Sequence, residues 1–149
     1  MLPTKRVHNF GTYFVTANCA SKRTIFQVDR NAELFFQTLQ RYREHYQLHA
    51  FVIMPDHFHL LLTPGSITLE RCLQLIKGGF SRAYHLEGGL KDVWQTGYAD
   101  HRCRDREDYL HHKTYIEQNP VAAGLCSAAE DFPWSSASRV LRERQSLSG

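Results

Sequence analysis

The chain has 149 residues, 42% hydrophobic and 22% charged, which is enough for one ordinary core and too little for several domains. A net charge of +3 does not by itself mark a nucleic-acid binder, and no apolar run is long enough to span a membrane. Residues 1–8 hold no apolar signal core, and Cys19, Cys72, Cys103 and Cys126 lack paired metal-ligand spacing, so a cytoplasmic protein with reduced thiols is expected.

In chain order, Thr12 to Cys19 reads as a strand and Asn31 to Gln47 as a helix. His49 to Met54 and His57 to Thr63 then make a hairpin through the turn residues Pro55 and Asp56. Strand pleating puts His57 and His59 on one face, about 6.6 Å apart along the backbone, where two imidazoles can share a metal. Phe58 and Leu60 fall on the other face, toward a core. Taken alone, the pair reads equally as one surface histidine and one satisfied core histidine. In so apolar a strand, however, two adjacent polar rings need partners. Asp56 either orients a histidine ring or serves only the turn.

Leu69, Leu73, Ile76, Phe80 and Ala83 follow steps of four, three, four and three, which marks a second amphipathic helix. Gly78 and Gly79 interrupt it at about 1 kcal/mol each relative to alanine, which suggests a kink or, failing that, a backbone approached closely by DNA. Val93 to Arg104 reads as a fourth strand, with Trp94 in the core. The next helix starts near Asp105, where Glu107 and Asp108 suit its positive end, and stops at Pro120. Tyr115 and Asn119, four residues apart, share a face with His111 one turn earlier. The competing reading makes Tyr115 an amphipathic core residue and Asn119 a pre-proline terminator. His101 is open between a structural hydrogen-bond donor and a neighbour of the site.

The order β-α-β-β-α-β gives an α+β, ferredoxin-like (RRM-like) antiparallel sheet with helices on one face and an added C-terminal helix, the one that carries Tyr115. One domain over 1–136 is expected, with Trp134 packed on it, followed over 137–149 by a basic, flexible tail carrying Arg139, Arg142 and Arg144. Charge is uneven along the chain: residues 1–30 carry five Lys or Arg against one acid, whereas 105–133 carry two against six. Lys5, Arg6, Lys22, Arg23, Lys77, Arg82, Arg102 and Arg104 are candidate DNA contacts, although each taken singly also fits an ordinary solvated surface.

The run from Met54 to Leu62 (MPDHFHLLL), the run from Trp94 to His101 (WQTGYADH) and the run from Tyr115 to Leu125 (YIEQNPVAAGL), in this order and spacing, resemble the single-tyrosine HUH transposases, especially the REP-associated tyrosine transposases. The resemblance extends from Gly11 to Ser136. It departs at Ala122, where that family usually has lysine or arginine. It implies a metal-dependent endonuclease and strand transferase on single-stranded, hairpin-containing repeat DNA, with Tyr115 as nucleophile and His57, His59 and Asn119 as ligands. Magnesium or manganese is the expected metal, weakly held until DNA supplies oxygen ligands. A monomer is expected, with a dimer as the alternative. The rival readings are a non-catalytic RRM-like nucleic-acid-binding module and a phosphoesterase that uses water and leaves no adduct.

Overall fold

The computed structural model describes residues 11–148, with side chains as far as Arg144. Four strands, β1 (Tyr13–Asn18), β2 (Tyr46–Met54), β3 (His57–Pro64) and β4 (Ala99–Arg102), form one sheet in the order β2-β3-β1-β4. Every neighbouring pair is antiparallel. With helices α1 (Asp29–Arg41) and α2 (Leu69–Leu86) between the strands, this is the ferredoxin-like arrangement. Helix α3 (Arg106–Ala122) lies on the opposite face, so the sheet is covered on both sides.

Alternation along the strands builds two cores. Tyr13, Val15, Phe58, Leu60 and Leu62 point toward α1 and α2 and pack with Phe35, Leu39, Ile76 and Phe80. Ala50, Val52, Met54 and Leu61 point the other way, against Ile116 of α3, with Phe14 and Tyr109 at the margin. His57 and His59 belong to this second face. Their strand is central, as the chain order requires once β3 pairs with both β2 and β1.

Several elements differ from the sequence expectation. Helix α1 ends at Arg41, and β2 begins at Tyr46, whose buried hydroxyl donates to the Leu39 carbonyl at 2.7 Å. A bulge between Leu48 and Ala50 breaks the alternation that would have revealed the longer strand. Helix α2 is continuous through Gly78 and Gly79, so the expected kink is absent. A Cβ at Gly79 would come within 2.8 Å of the Tyr42 ring, and this close approach, not DNA, explains that glycine. Strand β4 is four residues long: Gly97, at φ 82, interrupts the ladder with β1, which resumes only as an isolated bridge between Trp94 and Cys19.

Helix α3 runs two residues past Pro120. It closes at Gly124, φ 77, where the Gly124 amide donates to Val121 and the Leu125 amide donates to Pro120, at 3.0 and 2.9 Å. The segment expected as a flexible tail contains a further helix, α4 (Arg139–Ser148), docked through Leu141, which is 3% exposed, and through an Arg144 ion pair with Glu33 at 3.0 Å. Leu141 belongs to the first core, and Arg144 also lies over the Phe36 ring at 5.3 Å.

Candidate metal centre and nucleophile

β1 and β3 pair so that Thr16 faces His59 and Asn18 faces His57. The Thr16 hydroxyl lies 2.8 Å from Nδ1 of His59, and the Asp56 carboxylate accepts from Nδ1 of His57 at 2.6 Å. Asp56 therefore does both of its candidate jobs, since Pro55 and Asp56 also form the two-residue turn between β2 and β3. That turn is held in place where Cys19 and Phe26 donate amides to its carbonyls at 2.9 and 3.0 Å. With Nδ1 of each ring occupied, Nε2 is the nitrogen left on each for a ligand. The ring centroids are 4.9 Å apart.

Burial, reinforced by the neighbouring His57, pushes the His59 ring down to about 4. A neutral imidazole fixed through Nδ1 is the form that binds a metal, with its partner setting ring orientation. These residues fit a divalent cation, and Asn119, half-buried on α3, is the oxygen donor that the expected ligand set adds.

Tyr115 stands over this pair. Its ring centroid is 5.6 Å from that of His59 and 5.8 Å from that of Phe14, while the residue is 48% exposed. The competing reading of Tyr115 as a core residue fails on that exposure; Ile116, its neighbour on α3, is the buried one. His111, expected on the same face, is exposed.

A second cluster was not anticipated. Asp108, in the first turn of α3, sits between His101 of β4 and His112, with contacts of 2.8 and 3.0 Å, and also accepts the Arg104 amide at 2.9 Å. The Arg104 amide and His101 hold its carboxyl well below the usual carboxylate range. The candidate ligand atoms of His101, Asp108 and His112 lie within 4.8 Å of one another, a grouping compatible with metal binding. His112 Nδ1, however, also donates to the Asp108 carbonyl at 2.8 Å, so the network already closes as a clamp joining β4 to α3. His101 thus has its structural role, and the i, i+4 spacing of Asp108 and His112 was the available sequence signal. Phe14 lies between the clusters, 4.7 Å from His112 and 5.2 Å from His59.

The candidate DNA contacts are dispersed. Lys5 and Arg6 lie outside the described residues. Lys22 is exposed, and Arg23 donates to the Asp92 carbonyl. Arg82 is exposed on α2 and Arg104 is beside Asp108. Arg102 is paired with Tyr13, on the sheet face opposite the histidines. Lys77 donates to the Gly97 and Gln95 carbonyls at 2.8 and 3.4 Å.

Residues 10–119 match the family described as Transposase IS200 like. The chain is 33% identical over 132 residues to the REP-associated tyrosine transposase of Escherichia coli K12, across 84% of this chain and 75% of that relative. A Haemophilus influenzae relative carrying the same family name is 30% identical over 152 residues, across 89% and 82%. A solved structure of a REP-associated tyrosine transposase bound to a REP hairpin matches with a TM-score of 0.75 at 28% identity, covering 91% of this chain and 82% of that one. Sheet topology, the paired histidines under an exposed tyrosine, and these similarities agree: the chain belongs to the IS200-like transposase family, among the REP-associated tyrosine transposases, which are HUH-type enzymes.

Proposed function

We propose that the protein is a metal-dependent endonuclease and strand transferase that cuts single-stranded, hairpin-containing repeat DNA through a 5′-phosphotyrosine intermediate, working as a monomer in the cytoplasm. The observation that carries this reading is the exposed Tyr115 ring, 5.6 Å from the buried, neutral His59. The similar structure that holds a REP hairpin supports a hairpin as the DNA partner here.

Magnesium or manganese held by His57, His59 and Asn119 would neutralise the scissile phosphate and hold it in line. Asp56 and Thr16 keep both rings turned so that Nε2 faces the phosphate. The Tyr115 oxygen attacks phosphorus, one phosphate ester forms and another breaks, and the departing 3′ oxygen takes up a proton as the phenol loses one. Bond energy is conserved in the phosphotyrosine, so a second 3′-hydroxyl can reverse the step without ATP. No G-x-x-x-x-G-K-[ST] run is present in the sequence.

Tyr115→Phe tests the reading, because it removes one oxygen and keeps the ring against Phe14 and His59. Wild type should give a protein band shifted by the DNA piece on the 3′ side of the cut, joined through its 5′ phosphate; the variant should bind DNA and give none. Tyr109→Phe is the matched control, since Tyr109 packs edge-on against His49 at 5.3 Å, away from the pair. DNA cutting by wild type with no adduct at any time would instead make water the nucleophile.

A further inference from the structure

Asp108 stands on α3 before Tyr115, its side chain only 5% exposed, and two imidazoles from different elements meet it. Nε2 of His101, on β4, is 2.8 Å from one carboxylate oxygen, and Nδ1 of His112 is 3.0 Å from the other. The two rings stack, with centroids 4.8 Å apart. Phe14 stands between this cluster and the His57–His59 pair, 4.7 Å from His112 and 5.2 Å from His59.

Two imidazole nitrogens and one carboxylate oxygen are a donor set for zinc and its transition-metal neighbours, whereas magnesium prefers oxygen alone. Tetrahedral zinc bonds of about 2.1 Å space the ligand atoms about 3.3 Å apart. The candidate atoms here already lie within 4.8 Å of one another, so side-chain rotation is enough to close them on an ion. The Arg104 amide, with His101, holds the Asp108 carboxyl well below the usual carboxylate range, so this ligand has no proton to expel at neutral pH.

Two contacts have to yield. The Arg104 side chain, with Nε 3.3 Å from the carboxylate, competes as a cation, but it is 79% exposed and can turn into water. Its backbone amide, at 2.9 Å, stays behind the carboxylate and fixes its direction. In the hydrogen-bonded form, ring N–H protons fill the space between nitrogen and oxygen. On binding, each neutral ring carries its proton on the other nitrogen and the ion takes that space, and His112 gives up its bond to the Asp108 carbonyl if Nδ1 is the ligand. His101, with a side chain 42% exposed, leaves an entry path and an open position for water.

We propose that His101, Asp108 and His112 bind a divalent transition-metal ion of the zinc class, a structural site that ties β4 to the helix carrying Tyr115 and shares no ligand with His57 and His59. The probe is zinc alone, without DNA, added to the full chain after chelation and followed by calorimetric titration and melting temperature. His57→Ala takes the other pair out of the count. His101→Gln removes a nitrogen ligand while keeping an amide donor for Asp108, so the clamp survives without the site.

His57→Ala should bind zinc and, at about a hundredfold excess over Kd, gain about 10 °C in melting temperature. Adding His101→Gln should abolish both effects. The proposal is overturned if His57→Ala binds no zinc, if bound zinc leaves its melting temperature unchanged, or if the double variant binds as tightly, which would mark an adventitious ion only. The Tyr115 adduct is read separately, so its failure and the failure of this site are distinguishable.

Discussion

At the scale of single residues, His57 and His59 differ in burial and therefore in what their removal should do. His57 is at the partly exposed start of β3, and His57→Ala should abolish cleavage with little change in melting temperature. His59 is 5% exposed between Thr16 and Phe14, so His59→Ala should abolish cleavage and also cost about 2 kcal/mol through the hole it leaves. Cleavage and thermal melting of both variants, with added magnesium or manganese, check this pair; full activity of either would remove the metal assignment. The same burial makes His59 a source of pH dependence. Its ring ionises near 4 when folded and near 6.5 when unfolded, so between those values the unfolded chain binds more protons. Stability on the order of 3 kcal/mol, present above pH 6.5, should be lost as pH falls to 4. Urea unfolding of wild type and His59→Gln across that range should show the difference, with the variant lacking this component.

At the scale of elements, α2 and α3 hold the informative positions. Gly78 and Gly79 are adjacent in sequence but opposite in consequence: nothing lies within 4 Å of a Cβ added at Gly78, whereas one at Gly79 meets Tyr42 and Thr38. Gly78→Ala should raise stability by about 0.8–1 kcal/mol, and Gly79→Ala should lower it by about 1–3 kcal/mol as Tyr42 is displaced. Chemical denaturation of the two variants decides the matter. Helix α3 is fastened at its start by Asp108 to β4 and along its length by Ile116 to β2, and Tyr115 is carried between those anchors. Pro120 does not end the helix, because the pair of hydrogen bonds around Gly124 satisfies its last turn.

At the scale of the whole molecule, the sheet is closed over on one face by α1 and α2 and only partly on the other by α3, which leaves Tyr115 accessible. No helix among the described residues is long and apolar enough to cross a membrane. A tyrosine nucleophile beside a fixed histidine pair, as proposed, needs a strand that can bend into reach, with any paired DNA serving as a handle. Single-stranded hairpin DNA should therefore be cut, and the same sequence as a full duplex should be spared, on a denaturing gel. Equal cutting of both would contradict the proposed substrate.

The histidine face, the tyrosine helix and the βαββαβ order were legible because each depends on local periodicity: two residues per strand repeat, and 3.6 per helical turn. The same rules failed where a distant contact overrode the local signal. Lys77 reads as a surface cation until the Gln95 and Gly97 carbonyls come close enough to accept hydrogen bonds from it. Arg139 to Ser148 reads as a solvated tail until Leu141 finds the core and Arg144 finds Glu33. Thr16 has no signature at all, since its partnership with His59 exists only in the β1–β3 register, across 43 residues of chain. Periodicity states which way a side chain points from its own backbone; only the packed fold decides what it meets there.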